Sequence, residues 1–402
     1  MNRRSFIKNG CFSLLTTFPF LNYLTLSSNY ELNNSSMFSN KYNIDKLDSL
    51  VNSDNNLNTT RTHTNNLSTQ CGQIFPDKVI FPAALKPDDT VAFTAPASPI
   101  SIGKIKEYVK FFKSKGCNIL IGDTIKKQNN LHKYFSAEDS VRAAEFNQFI
   151  QDENVKAIIC GRGGYGVMRI LPMLDYATLA KNPKFIMGYS DITALLLAVY
   201  KKSNIAAFHG PVGSSKITTE HKINIENIYF NYNQNSYNSL KNEIKNNHSN
   251  ILINYKIKEM KFIDNLTDKE FSGRLQGGNL TLISATMGTE YEIDLTDAIF
   301  FFEDTNVLAH NVDRMLANLF IANKLKSCRG FIVGKMKGFE KRGNFYPNKA
   351  FTIKEVIEDF ANQLKIPYVY NIPFGHVASE IIFPLGIEAT VDINNKQISL
   401  MV

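Results

Sequence analysis

A serine hydroxyl is a poor nucleophile at neutral pH unless an imidazole takes its proton, and that imidazole needs a carboxylate to fix its tautomer and stabilise its cation. Three segments of this 402-residue chain supply such groups in the order Ser190, Glu303, His376. Ser190 sits in Lys184-Phe-Ile-Met-Gly-Tyr-Ser-Asp-Ile-Thr, where an apolar strand pattern gives way to a helix pattern. A turn of that kind lifts a side chain above the carboxyl edge of a sheet, and the helix start offers N–H groups to a developing oxyanion. Ile192 stands where the common G-x-S-x-G elbow has its second glycine, and a Ser ahead of Asp also serves as an ordinary N-cap. Glu303 ends the aromatic run Phe300-Phe-Phe-Glu, and His376 lies in the turn Pro373-Phe-Gly-His. Taken singly, an acid at a strand end is usually solvated and a turn histidine usually structural.

A second constellation competes for the same region. Gly161-Arg-Gly-Gly-Tyr-Gly166 satisfies G-x-G-x-x-G between a strand and a helix, and Asp191 closes the next strand about where a ribose-binding acid belongs. A nicotinamide enzyme using Gly161, Gly163, Gly166 and Asp191 is therefore one reading. The same glycines can instead bring backbone N–H groups close to a substrate beside Ser190.

The elements that must position these groups alternate. Strand patterns at Thr90–Pro96 (ending in a loop), Asn118–Ile121, Val155–Cys160 and Phe185–Gly188 are separated by helix patterns at 101–115, 137–151 and 165–174, with a further helix at 191–201. This predicts an α/β fold with a doubly wound N-terminal domain, at 76–235. An Asn-, Lys- and Tyr-rich stretch at 224–250 reads as the crossover to a smaller mixed α/β C-terminal domain at 255–402, which holds Glu303 and His376 and helix patterns at 311–321 and 353–363.

Residues 1–28 read as a twin-arginine-like signal segment, Asn2-Arg3-Arg4-Ser5-Phe6-Ile7-Lys8 followed by an apolar run, and residues 29–75 as a disordered polar tether. A periplasmic protein is expected, with the cytoplasm as the alternative and no stable membrane insertion after processing. The excess of 45 Lys and Arg over 37 Asp and Glu is spread out, which argues against a nucleic-acid groove. Cys71, Cys117, Cys160 and Cys328 are widely spaced, without the C-x-x-C pattern of a metal or redox site, and no disulfide, metal or cofactor is expected.

Thr94-Ala-Pro-Ala97, Gly161-Arg-Gly-Gly-Tyr-Gly166, Gly188-Tyr-Ser-Asp191, Phe208-His-Gly-Pro211, Gly277-Gly-Asn279, Phe302-Glu-Asp304 and Gly375-His376 occur in this order from about Pro76 to Val402. Each is short, but together they resemble the L,D-carboxypeptidase family of serine peptidases, which includes muramoyltetrapeptide carboxypeptidases and microcin C immunity peptidases. The resemblance implies Ser190 as nucleophile, His376 as general base then acid, and Glu303 as the orienting carboxylate. It implies an oxyanion hole from the N–H of Asp191 and that of Gly163 or Gly164, a peptidoglycan-derived peptide as substrate, and a homodimer. Arg162 is a further candidate for a peptide's terminal carboxylate, since a guanidinium fork matches a carboxylate, or equally for an Asp or Glu within the fold, and His209 for substrate contact or packing. A peptide binder without turnover would share the same outline.

Overall fold

Strands buried on both faces must be apolar, and Thr90–Thr94 (β1), Val155–Cys160 (β3) and Phe185–Gly188 (β4) come close to that requirement, while the half-exposed Asn118–Ile121 (β2) sits at the sheet edge; the four pair in parallel. The computed structural model describes residues 79–127, 133–231, 251–262, 269–336, 350–378 and 381–401. The expected leader and tether, Cys71, and residues 232–250 of the expected crossover lie outside them.

With Phe208–His209 (β5) added beside β4, the parallel strands run in the order β2-β1-β3-β4-β5. Strand order reverses between β1 and β3, so their outgoing loops diverge to opposite faces and leave a crevice at the carboxyl edge, where ligands of open α/β sheets bind. The loops concerned are Thr94–Ala97 and Gly161–Gly166.

A second sheet has the order β6-β14-β13-β8-β9-β10-β11-β7, the remaining strands being Ile251–Lys256 (β6), Lys261–Phe262 (β7), Glu270–Asn279 (β8), Ala298–Glu303 (β9), Gly330–Gly334 (β10), Tyr368–Ile372 (β11), Glu388–Asp392 (β13) and Gln397–Met401 (β14). Strands β8 to β11 are parallel; β13 and β14 form an antiparallel hairpin whose alternating burial shows one face turned outward. The short strand Phe383–Pro384 (β12) leaves this half and pairs antiparallel with β5, at the edge of the first sheet. The two sheets are thus joined by backbone pairing as well as by side chains.

Two expected elements differ. The helix expected at 165–174 is a single turn, Val167–Ile170, followed by a 3-10 turn at Leu171–Met173. Gly164 and Gly166 hold φ of +117° and +123°, outside helical space, and Pro172 has no N–H to continue the ladder. The crossover expected from Asn224 begins later, because Thr219–Tyr229 is a helix that buries His221, Ile225, Ile228 and Tyr229, and the Thr218 hydroxyl accepts the N–H of His221 as its N-cap. A further helix, Leu280–Ala285, is capped by Asn279 directly after β8. Cys117, Cys160 and Cys328 are buried free thiols whose burial raises their pKa.

Candidate active site

Ser190 follows β4 at φ +65°, a left-handed conformation that is rare for a residue with a Cβ and concentrates at functional turns. Its hydroxyl does not cap the helix Thr193–Ser203 that follows, which disposes of the N-cap reading. It lines a cavity of about 500 Å³ at the β1/β3 crevice, shared with Pro99, Ser101, Lys104, Arg162, Gly163, Gly164, Tyr189 and His376. A Cβ on Gly163 would stand 2.8 Å from the Ser190 Cβ and 3.1 Å from its Oγ, so only glycine lets that backbone approach the serine. The N–H groups of Gly163 and Gly164 donate to no other group among the described residues.

Glu303 ends β9 and is fully buried. Its Oε2 lies 2.7 Å from His376 Nδ1 and 3.3 Å from the His376 N–H, while Oε1 accepts from Asn279 Nδ2 at 3.2 Å. Asn279 is opposite Glu303 in the β8–β9 register, so sheet pairing itself places the amide. Burial would push the Glu303 carboxyl up, but the hydrogen bond and charge of His376 outweigh it and hold the group below its ordinary 4.5. For His376 burial acts downward, and the hydrogen bond and charge of Glu303 overcome it, raising the imidazole above its ordinary 6.5. With Nδ1 fixed by Glu303, Nε2 is the ring nitrogen left to exchange a proton. The Tyr189 ring meets the imidazole edge-on at 4.9 Å between centroids. Ser190 and His376 share the cavity without a mutual hydrogen bond among the described residues.

The second sheet is fastened to the serine turn directly. The N–H of Asn279 donates to Thr193 Oγ1 at 3.0 Å, and Gly278 is so close that a Cβ would stand 2.5 Å from the Thr193 methyl. Asp304 is spent on structure: its Oδ2 accepts the N–H and hydroxyl of Thr281 at 2.8 and 2.7 Å, and its Oδ1 the N–H of Thr305.

Two candidate side chains are turned to other partners. Asp191 is buried, with Oδ2 accepting the Val167 N–H at 2.9 Å, so its carboxylate cannot meet a ribose. The helix after the glycines is one turn long and the nicotinamide fingerprint loses both of its physical requirements, a helix N-terminus and a reachable acid. His209 does not line the cavity. It is 1% exposed on β5, packed edge-on against Phe301 and Phe374 at 5.5 and 5.8 Å, and burial pushes its imidazole down to about 4. Its place beneath Tyr189 makes it a neutral packing group. Arg162 does line the cavity, with Nη1 3.4 Å from the Pro99 carbonyl. Lys104, within the helix pattern expected at 101–115, joins it there, and no carboxylate lines the cavity among the described residues.

The first sheet and the second carry matching family models, the LD-carboxypeptidase N-terminal domain over residues 91–210 and the LD-carboxypeptidase C-terminal domain over residues 272–391. The chain belongs to the LD-carboxypeptidase family. A protein of Bacillus subtilis (strain 168) named probable murein peptide carboxypeptidase is 30% identical over 78% of this chain and 92% of its own length. The microcin C7 self-immunity protein MccF of Escherichia coli is 26% identical over 79% of this chain and 94% of its own. The crystal structure of muramoyltetrapeptide carboxypeptidase from Oxalobacter formigenes superposes with a TM-score of 0.59 at 25% identity, covering 77% of this chain and 97% of that one. This LD-carboxypeptidase is therefore a peptide hydrolase with the two-part α/β architecture of its relatives.

Proposed function

We propose that this LD-carboxypeptidase removes a terminal D-amino acid from a murein tetrapeptide through an acyl-enzyme on Ser190. The observation that carries the reading is the 2.7 Å bond between buried Glu303 and His376 Nδ1, made by an imidazole that shares its cavity with a serine at φ +65°. Ser190 Oγ attacks the scissile carbonyl carbon while His376 Nε2 takes the hydroxyl proton. The oxyanion so formed is met by N–H groups of Asp191 and of Gly163 or Gly164. Its collapse breaks the C–N bond, and His376 returns the proton to the departing amine. Water then attacks the ester with His376 again as base, releasing the shortened peptide and restoring Ser190. Glu303 keeps the imidazole in one tautomer and stabilises its cation throughout.

Arg162 and Lys104, the cations of a cavity whose described lining holds no carboxylate, suit the free terminal carboxylate that defines a carboxypeptidase substrate. Relatives named for murein peptide and muramoyltetrapeptide support a wall-derived peptide. Export through the twin-arginine-like leader to the periplasm, and a homodimeric state, belong to the same proposal. The test is incubation of purified protein with a murein tetrapeptide. Release of D-alanine without added metal or cofactor is expected, together with a loss of about 1,000-fold or more in kcat for Ser190→Ala. A Ser190→Ala variant within about tenfold of wild type would remove the serine from the reaction.

A further inference from the structure

Arg142 lies on the Asp139–Gln151 helix, in a stretch whose polarity suggests a solvated face, yet it is 0% exposed. A buried cation persists only where its charge and donors are matched. Here the guanidinium is spent mainly on backbone oxygens: Nη1 donates to the carbonyls of Pro96 and Gly166, the latter at 3.0 Å, and Nε to that of Ala137 at 3.1 Å. Nη2 pairs with the Asp139 carboxylate, and the Phe135 ring lies 4.8 Å from the guanidinium carbon.

The Gly166 carbonyl belongs to the same peptide unit as the Val167 N–H, which donates to Asp191 Oδ2 at 2.9 Å. One peptide group is therefore held at its oxygen by a buried cation and at its N–H by a buried anion. That anion is on the residue after Ser190. Pro96, the other carbonyl held by Nη1, precedes Ser98, whose N–H donates to the Gly163 carbonyl at 3.4 Å and whose hydroxyl accepts the Tyr165 N–H at 3.1 Å. Arg142 thus anchors both loops that frame the space above the serine, without itself lining the cavity.

We propose that Arg142 is a positioning residue: together with Asp191 it clamps the Gly166–Val167 peptide and the Pro96 carbonyl, fixing the N–H groups of Gly163, Gly164 and Asp191 before the oxyanion forms. The proposal rests on Ser190 being the nucleophile. Donors fixed in advance need no reorganisation at the moment of reaction. The planar five-donor fork of arginine reaches several carbonyls at once, which the point charge of lysine cannot reproduce.

The test compares Arg142→Lys and Asp191→Asn with wild type by kcat and KM for D-alanine release, by affinity for a peptide boronate that forms a tetrahedral adduct with the serine, and by backbone amide exchange across residues 161–168. Intact-peptide affinity is measured in the Ser190→Ala background. Expected are a kcat lower by about 100-fold, as for a misplacement of about 1 Å, a parallel loss of boronate affinity, peptide affinity changed by less than about threefold, and faster exchange. Asp191→Asn loosens the clamp from its other end and supplies the same readouts should Arg142→Lys not fold. Equal losses of boronate and peptide affinity, or an unchanged kcat in a folded variant, overturn the proposal. Should wild type neither release D-alanine nor bind the boronate, the serine mechanism falls, and the clamp is judged by exchange alone: faster exchange in the variants upholds it and unchanged exchange refutes it.

Discussion

Gly375 precedes His376 at φ +91°, and a Cβ built there would stand 2.5 Å from Glu303 Oε2 and 2.6 Å from Cδ. Gly375→Ala therefore does two separable things: it strains a left-handed backbone and drives the buried carboxylate from the imidazole it orients. The first costs about 1–2 kcal/mol. The second adds an overpacking cost of about 1–3 kcal/mol, for a total of about 2–5 kcal/mol. Gly288 supplies the internal control, since it has φ +78° with nothing within 4 Å of its built Cβ, so Gly288→Ala carries the backbone strain alone. Urea denaturation should place Gly375→Ala below Gly288→Ala by the overpacking term. In D-alanine release, Gly288→Ala should match wild type while Gly375→Ala falls by about 100- to 10,000-fold, the range set by misorienting a triad carboxylate. If the two variants lose equal stability and Gly375→Ala keeps its rate, the carboxylate is not held where the argument requires.

Glu303→Gln should lower the rate by about two to four orders of magnitude with little change in substrate affinity, and any residual acid limb of kcat/KM should move down, because the main influence that raises His376 is gone while burial remains and only the weaker charge of Asp304 opposes it; an unmoved limb would assign it to another group. The pair also sets opposed pH demands. A depressed Glu303 contributes stability above about 4.5 and loses it as pH falls, whereas a raised His376 contributes below about 6.5 and loses it as pH rises through its folded value, so the wild-type advantage over Glu303→Gln should peak between these limits while activity climbs above them. Denaturation midpoints across pH that show the greatest advantage in alkali would contradict this. Deleting residues 1–73 should leave D-alanine release intact and abolish export, as followed by fractionating cells; a folded but inactive truncation would place those residues in the site.

Strands β3 and β4 were readable to the residue because a strand buried on both faces has to be a continuous apolar run, and the half-exposed edge strand β2 was readable from its Ile-Leu-Ile run. Helix limits were less readable: Pro172 and the glycines at positive φ break a pattern whose apolar spacing alone runs on, and the helix Thr219–Tyr229 hides in polar residues because it buries only one stripe. Ser190, Glu303 and His376 were weak individually and informative as an ordered set. The carboxylate of Asp191, the burial of His209 and the three carbonyls on Arg142 depend on loop paths, and no local spacing encodes those paths. Lys104 gave no signal beyond being a lysine in an amphipathic stretch.

The pairing of β12 with β5 has a consequence for how the molecule comes into being. The first sheet acquires its final edge from residues 383–384, and the imidazole that would activate Ser190 sits only a few residues earlier in the chain. At a synthesis rate of about 5–20 residues per second, roughly 10–40 s pass between the appearance of the serine and that of the histidine. Throughout that interval the nascent chain carries an unarmed hydroxyl on an unfinished sheet. On the proposed mechanism, closing the edge and arming the serine are therefore nearly one event, so a ribosome that stalls short of it would release a product with neither a complete first sheet nor a base.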